Sequence, residues 1–200
     1  MAGADLDAPN LEAALSGGDV ASVIVSPMAE EGRLEETAFL DRANALVPLV
    51  QRAGAAAIIA FETRVAARAS ADGVHLEGIA ALPDGLPRGA SVGIGKLDDR
   101  DAALRAGEMQ IDYVLFGRLH RDIRPEPHAR NLKLAQWWSQ VVALPCIVPG
   151  GSAVDSVVEV AEAGADFVAL QSAIFAASDP AEAVARANAL LDQRAPRFEA

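Results

Sequence analysis

The sequence predicts a parallel α/β fold, a TIM-type (β/α)₈ barrel in which seven strands are visible and the first is missing. Three observations carry this expectation. Short apolar runs alternate with segments of helical periodicity at intervals of about 20–35 residues, as in successive βα units. Hydrophobic residues make up 52% of the chain and aromatics only 4%, so the core must be Ala, Val, Leu and Ile, as in sheets buried on both faces. The last two βα units, within residues 146–177, carry small residues after their apolar runs, where (β/α)₈ barrels frequently place a phosphate site. Two hundred residues suit one domain, 1–200, with a core of its own.

Taken in order, residues 1–9 are polar and hold no apolar run that forms a strand. The chain effectively begins with a helix over 11–16, capped by Asn10 and stopped by Gly17-Gly18. A first strand over 20–25 ends at Pro27. A polar connection leads to an amphipathic helix over 34–52, which Pro48 bends or shortens and Gly54 terminates. Strands follow over 56–61, 73–76, 90–94 and 112–116, with helices over 63–69 and 98–106 and a Pro- and Gly-rich loop over 82–89. A polar loop, 117–129, precedes a helix over 131–142 that carries Trp137 and Trp138. The sixth strand, 146–148, turns at Pro149-Gly150-Gly151 into a helix over 153–163 capped by Ser152. The seventh, 167–170, passes through Gln171-Ser172-Ala173 into a helical segment, and a last helix spans 179–191. Closing the barrel requires one more strand, whose place ahead of Asn10 is empty; a flavodoxin-like open sheet is the structural alternative.

A formal charge of −11 repels phosphate backbones and anionic lipid surfaces, which argues against nucleic-acid and membrane partners. The lone thiol, Cys146, lies in an apolar run and is expected to be buried and inert; no disulfide or zinc site follows. No signal peptide and no apolar run of membrane-spanning length is present, so the protein is expected to be cytoplasmic.

Two groups of residues carry candidate chemistry. The turn Gly150-Gly151 and the segment Ser172-Ala173 follow the last two strands; small residues there let backbone N–H groups approach an anion, which makes phosphate the expected guest, against the plainer reading of a tight turn. In the loop after the fifth strand Arg118, Arg121 and Arg124 recur at three-residue spacing, and guanidinium forks grip phosphate oxygens; the alternative is a solvated loop neutralising nearby carboxylates. His120, Asp122, Glu126 and His128 share that loop but match no metal-ligand spacing, so no metal site is expected. His75, in a short strand, reads as a satisfied histidine under the barrel rim, and Gly93-Ile94-Gly95 lacks the third glycine and the acid of a dinucleotide site.

From Leu11 onward the chain resembles thiamine phosphate synthase and its TenI-like relatives, (β/α)₈ barrels that join, or once joined, a pyrimidine pyrophosphate to a thiazole phosphate. Four islands carry the resemblance: AALSGG (13–18), ADGVHL (71–76), DYVLFG (112–117), and the run 150–174 with AGADFVALQSAI. The family's thiazole-phosphate site uses the glycines after the seventh barrel strand and the serine after the eighth; Gly150, Gly151 and Ser172 fit. Its pyrophosphate strand, Gln-x-Arg-Glu-Lys, falls on Val23-Ile24-Val25-Ser26-Pro27. Its Mg²⁺-holding Asn-Asp pair falls on or near Ala60-Phe61, with Glu62 the nearest carboxylate, and its second metal aspartate falls near Ala80. Its strand serine falls at Gly95, and its Thr-x-Thr-Lys loop on Asp122-Ile123-Arg124-Pro125.

The resemblance therefore implies a phosphate-binding half that is kept and a Mg²⁺/pyrophosphate half that is largely lost. The remaining catalytic candidates are His120, Arg124 and Glu62. The functions it leaves open are a thiamine phosphate synthase, a TenI-like tautomerase, in which the histidine follows the glycine directly whereas Arg118 stands there, and a non-catalytic phosphate-binding or regulatory homodimer.

Overall fold

The computed structural model describes residues 6–29, 32–78, 81–86, 88–120 and 123–195. The chain opens with α1 (Ala8–Ser16), β1 (Ser22–Val25), a two-stranded antiparallel ribbon of β2 (Met28–Ala29) and β3 (Gly32–Arg33), and α2 (Glu36–Arg52). It continues through β4 (Ala56–Ala60), α3 (Thr63–Arg68), β5 (Gly73–Glu77), β6 (Ser91–Gly95), α4 (Arg100–Gly107) and β7 (Tyr113–Leu115). Then come α5 (Ala129–Val141), β8 (Cys146–Pro149), α6 (Ser156–Glu162), β9 (Phe167–Ala169), α7 (Ser172–Phe175) and α8 (Pro180–Arg194).

Seven strands form one sheet in the order β1-β4-β5-β6-β7-β8-β9, every pair parallel. Each neighbour is the next strand of the sheet in the chain, with none of the reversal that defines a flavodoxin-like sheet; that alternative is ruled out, and the sheet is a curled half-barrel with β1 and β9 as its edges. Between them lies an apolar cavity of about 490 Å³, walled by Leu11, Leu15, Ile24, Phe167, Leu170 and Leu191. Among the described residues no strand fills this gap.

Alternation along the strands sorts the core into two layers. Ile24, Ile58, Leu115 and Ile147 meet inside the curl, and Leu119 closes over them from the loop after β7. Val23, Val25, Val74 and Leu76 face α2 and α3, while Val114, Cys146 and Val148 face α4 and α5. The parallel register is pinned by one device used three times. Asp72 accepts from Ala57 N–H at 2.8 Å and returns its own N–H to Ala57 C=O at 2.8 Å. Asp112 does the same with Val92 (2.7 and 2.8 Å) and Asp166 with Cys146 (2.8 and 3.1 Å). These aspartates precede β5, β7 and β9, at the N-terminal face of the sheet, where such features serve stability. Three of the sequence islands, ADGVHL, DYVLFG and GADFVA, are thus partly a record of strand stapling.

Several element ends differ from expectation. Asp7, not Asn10, caps the first helix, accepting from Asn10 N–H at 2.9 Å, and Pro9 pre-sets its first turn, so the helix starts earlier. The helix α2 runs through Pro48 without ending: the ring is exposed, and Phe39, Leu40, Ala43, Leu46, Val47 and Val50 hold the opposite face in the core. Ser152 is not a helix cap, because α6 begins at Ser156 after an irregular turn. The ribbon β2–β3 occupies what reads in the sequence as a plain connection. Residues 1–5 lie outside the described residues, and Ala8 and Pro9 are helical. Among the described residues no helix is long and apolar enough to cross a membrane.

Candidate functional site

The C-terminal ends of the strands form a rim built on strained turns. Phe61, Gly78, Lys96 and Gly117 follow β4, β5, β6 and β7 with φ of 69°, 59°, 60° and 127°. In Phe61 and Lys96, which carry side chains, that left-handed backbone is costly and marks a face where geometry is over-determined. Each turn is stitched to its neighbour: Phe61 N–H donates to His75 C=O at 2.8 Å, Gly78 N–H to Gly95 C=O at 3.3 Å, and Lys96 N–H to Gly117 C=O at 2.9 Å. Glu62, Glu77, Lys96 and Arg118 are thereby set around one mouth.

Beyond β7 and β8 the rim opens into a cavity of about 520 Å³ whose walls include Gly117, Arg118, Arg124, His128, Arg130, Asn131, Pro149 and Gly150. Asp98 ties its two ends together, accepting from Arg130 at 2.7 Å and Arg118 at 3.5 Å. Arg124 forms no ion pair among the described residues. Asn131 is buried, and its Oδ1 has no hydrogen-bond partner among the described residues, an unusual cost for a buried carboxamide unless a ligand or water meets it. His128 is spent locally: its Nδ1 caps α5 by accepting from Arg130 N–H at 3.2 Å. His120 takes a left-handed conformation, φ 60°, and is not among the residues that wall the cavity. Arg121 and Asp122 lie outside the described residues.

The loop that walls this cavity lies on the glycine turn. Gly150 N–H donates to Ala169 C=O at 2.9 Å, Gly151 N–H to Ser156 Oγ at 2.9 Å, Ser152 N–H to Arg124 C=O at 2.7 Å and Ala153 N–H to Pro125 C=O at 3.4 Å. A Cβ on Gly151 would stand 1.9 Å from the Pro125 carbonyl oxygen, so the contact exists only because that residue is glycine. Ser172 and Ala173 open α7, which follows β9, the strand paired with β8.

Elsewhere on the rim the residues do not suit a magnesium site. Mg²⁺ takes hard oxygen ligands in near-octahedral array. The Glu62 carboxylate is paired with the Arg33 guanidinium, brought in by the β2–β3 ribbon and stacked 6.0 Å above the Phe61 ring. Ala60, Phe61 and Gly95 offer no side-chain oxygen, the Ser26 hydroxyl is buried and accepts from Met28 N–H at 3.2 Å, and Ala80 lies outside the described residues. Among the described residues no three acidic, His or Cys side chains cluster as a metal-binding group.

Inside the curl His75 is fully buried, its Nδ1 3.2 Å from the Tyr113 hydroxyl and the rings stacked at 5.8 Å. It is not the satisfied histidine the sequence suggests: Nε2 has no partner among the described residues, and burial lowers the ring's pKa from 6.5 to about 3. Gly93 and Gly95 leave room for these rings, since a Cβ at Gly93 would meet the Tyr113 ring at 1.9 Å and one at Gly95 would meet His75 Nε2 at 2.7 Å. Cys146 is buried and its thiol is pushed up to about 12, chiefly by burial.

Sequence reasoning missed Glu77, Arg33, Asp98, Arg130 and Asn131. Glu77 was findable: it stands two residues after His75 in a strand, hence on the same inward face. Its carboxylate accepts from Leu119 N–H at 3.3 Å, and burial raises its pKa against the lowering pull of that bond, Lys96 and Arg118.

Comparison with known proteins agrees with this architecture. The family model described as thiamine monophosphate synthase matches residues 4–174. The chain is 33% identical over 193 residues to the thiamine-phosphate synthase of Hyphomonas neptunium, covering 93% of this chain and 87% of that one. It is 34% identical over 194 residues to that of Rhodospirillum centenum, covering 92% and 90%. Among solved structures, a thiamine phosphate pyrophosphorylase from Pyrococcus furiosus superposes with a TM-score of 0.75 at 21% identity, over 94% of this chain and 91% of that one. The curled sheet, its glycine turn and these relatives together place the chain in the thiamine monophosphate synthase family.

Proposed function

We propose that this chain is a phosphate-ligand-binding member of its family that has lost the Mg²⁺/pyrophosphate half of the chemistry and is a poor thiamine phosphate synthase or none. The observation that carries the reading is the contrast across one rim. On the β7–β8 side, Arg118, Arg124 and Arg130 surround a cavity with the open carboxamide of Asn131, and the Gly150-Gly151 turn adjoins it. Fixed cations and an unsatisfied polar group in a concave site suit a small phosphate ester. On the β4 side, the carboxylate nearest the family's metal position is neutralised by Arg33. Departure of pyrophosphate needs its developing charge stabilised, and such electrostatic stabilisation commonly contributes more to catalysis than any other effect; among the described residues no cluster of acidic side chains offers a metal for it.

Calorimetry with thiazole phosphate, with and without Mg²⁺, tests the reading. Binding that is independent of Mg²⁺ and weakened at least about tenfold in Arg124→Ala is expected; affinity that appears only with Mg²⁺ would overturn it.

A further inference from the structure

The glycine turn already holds oxygen atoms. The carbonyls of Arg124 and Pro125 sit on Ser152 N–H and Ala153 N–H at 2.7 and 3.4 Å, and Pro125 oxygen lies where a Gly151 Cβ would be. The same loop is anchored a second time. Leu119 is buried among Ile24, Ile58 and Ile147 at the barrel mouth, with its N–H donated to Glu77 at 3.3 Å. One segment thus seals the interior with a side chain and occupies the turn with its backbone.

Resting on the phosphate reading above, we infer that the β7–α5 loop is a built-in competitor for the phosphate site: its two carbonyl oxygens stand in for anion oxygens on the turn, and a phosphate ester gains the turn only when the loop lifts away. A carbonyl oxygen and a phosphate oxygen ask the same thing of an amide, a lone pair at hydrogen-bond distance. A phosphate adds charge and so makes the stronger bond, but its apparent affinity is reduced by the fraction of molecules in which the loop is docked. Ile123 is 83% exposed, so retention rests on Leu119, the buried Pro127 and the carbonyl contacts.

The test uses inorganic phosphate in calorimetry and amide hydrogen exchange of Ser152 by NMR, on the full chain. Two variants loosen the loop without removing a cation: Leu119→Ala withdraws the buried anchor, and Pro125→Gly frees the exposed backbone. In both, Ser152 exchange should accelerate and phosphate affinity should rise by at least about tenfold. Adding Gly151→Ala should cancel the gain, because its methyl projects into the position of the acceptor oxygen. Faster Ser152 exchange with unchanged, measurable phosphate affinity would overturn the inference and leave the phosphate reading standing. No binding by the wild type or any variant would overturn both. Ser152 protection that persists in both loosened variants would show that the loop does not leave the turn, and would overturn the inference alone.

Discussion

Replacing His75 and Tyr113 together should make the protein markedly less acid-sensitive. The native fold keeps the His75 ring neutral down to about pH 3, whereas the unfolded chain protonates it near 6.5. A group whose folded pKa is depressed contributes stability that is complete above the unfolded value and is lost as pH falls toward the folded one. The window is therefore about 6.5 to 3. At 1.36 kcal/mol per pH unit the whole effect is on the order of 5 kcal/mol, of which about 2 kcal/mol is lost between pH 7 and pH 5. That is a large share of the 5–15 kcal/mol that holds a typical domain together. Replacing His75 alone would strand the buried Tyr113 hydroxyl, its hydrogen-bond partner, at a further cost of about 1–3 kcal/mol. The informative variant is His75→Leu with Tyr113→Phe. Urea unfolding at pH 7 and pH 5 should show the wild type losing about 2 kcal/mol more than the double variant across that interval. Equal losses would refute the assignment of acid sensitivity to this buried ring.

Other perturbations follow from the same geometry. Asp112→Ala should cost about 1–3 kcal/mol, because Val92 N–H loses its acceptor inside the sheet; Asp112→Asn, which keeps an acceptor oxygen, should recover most of that in thermal melts. Glu77→Gln should stabilise the fold at pH 7, since burial raises the folded pKa of Glu77 and the charged form is the disfavoured one; the advantage should vanish as pH falls through the carboxylate range, and a pH-independent difference would contradict it. Gly151→Asp should abolish phosphate binding detected by calorimetry while the protein still melts cooperatively, for it places a like charge and a Cβ against the Pro125 carbonyl; unchanged affinity would mean that the glycines only make a turn.

The sheet was legible in the sequence because period and punctuation agree: all seven apolar runs become strands in chain order. What escaped was set by groups distant in sequence. Asp7 won the cap from Asn10 because Pro9 fixed the first turn. The ribbon at 28–33 has no alternation to announce it, yet it delivers Arg33 to Glu62, a pairing 29 residues apart. The glycine turn reads as a ready anion cradle, but nothing local reveals that Arg124 and Pro125, over 20 residues upstream, cover its amides. The spacing of Arg118 and Arg124 was visible, whereas their grouping with Arg130 and Asn131 around one cavity depends on the path of the loop.

The central claim, that the phosphate half outlives the pyrophosphate half, is tested most directly by single-turnover kinetics with hydroxymethylpyrimidine pyrophosphate, thiazole phosphate and Mg²⁺ at micromolar protein. Removing a single electrostatic donor typically costs about 10²–10³ in rate, and the proposed reading has several lost together, so the rate it predicts is at least about 10⁴ below that of a complete site. Turnover of about 0.1 per second or faster, close to the ordinary enzymic range of about 1–10³ per second, would contradict it.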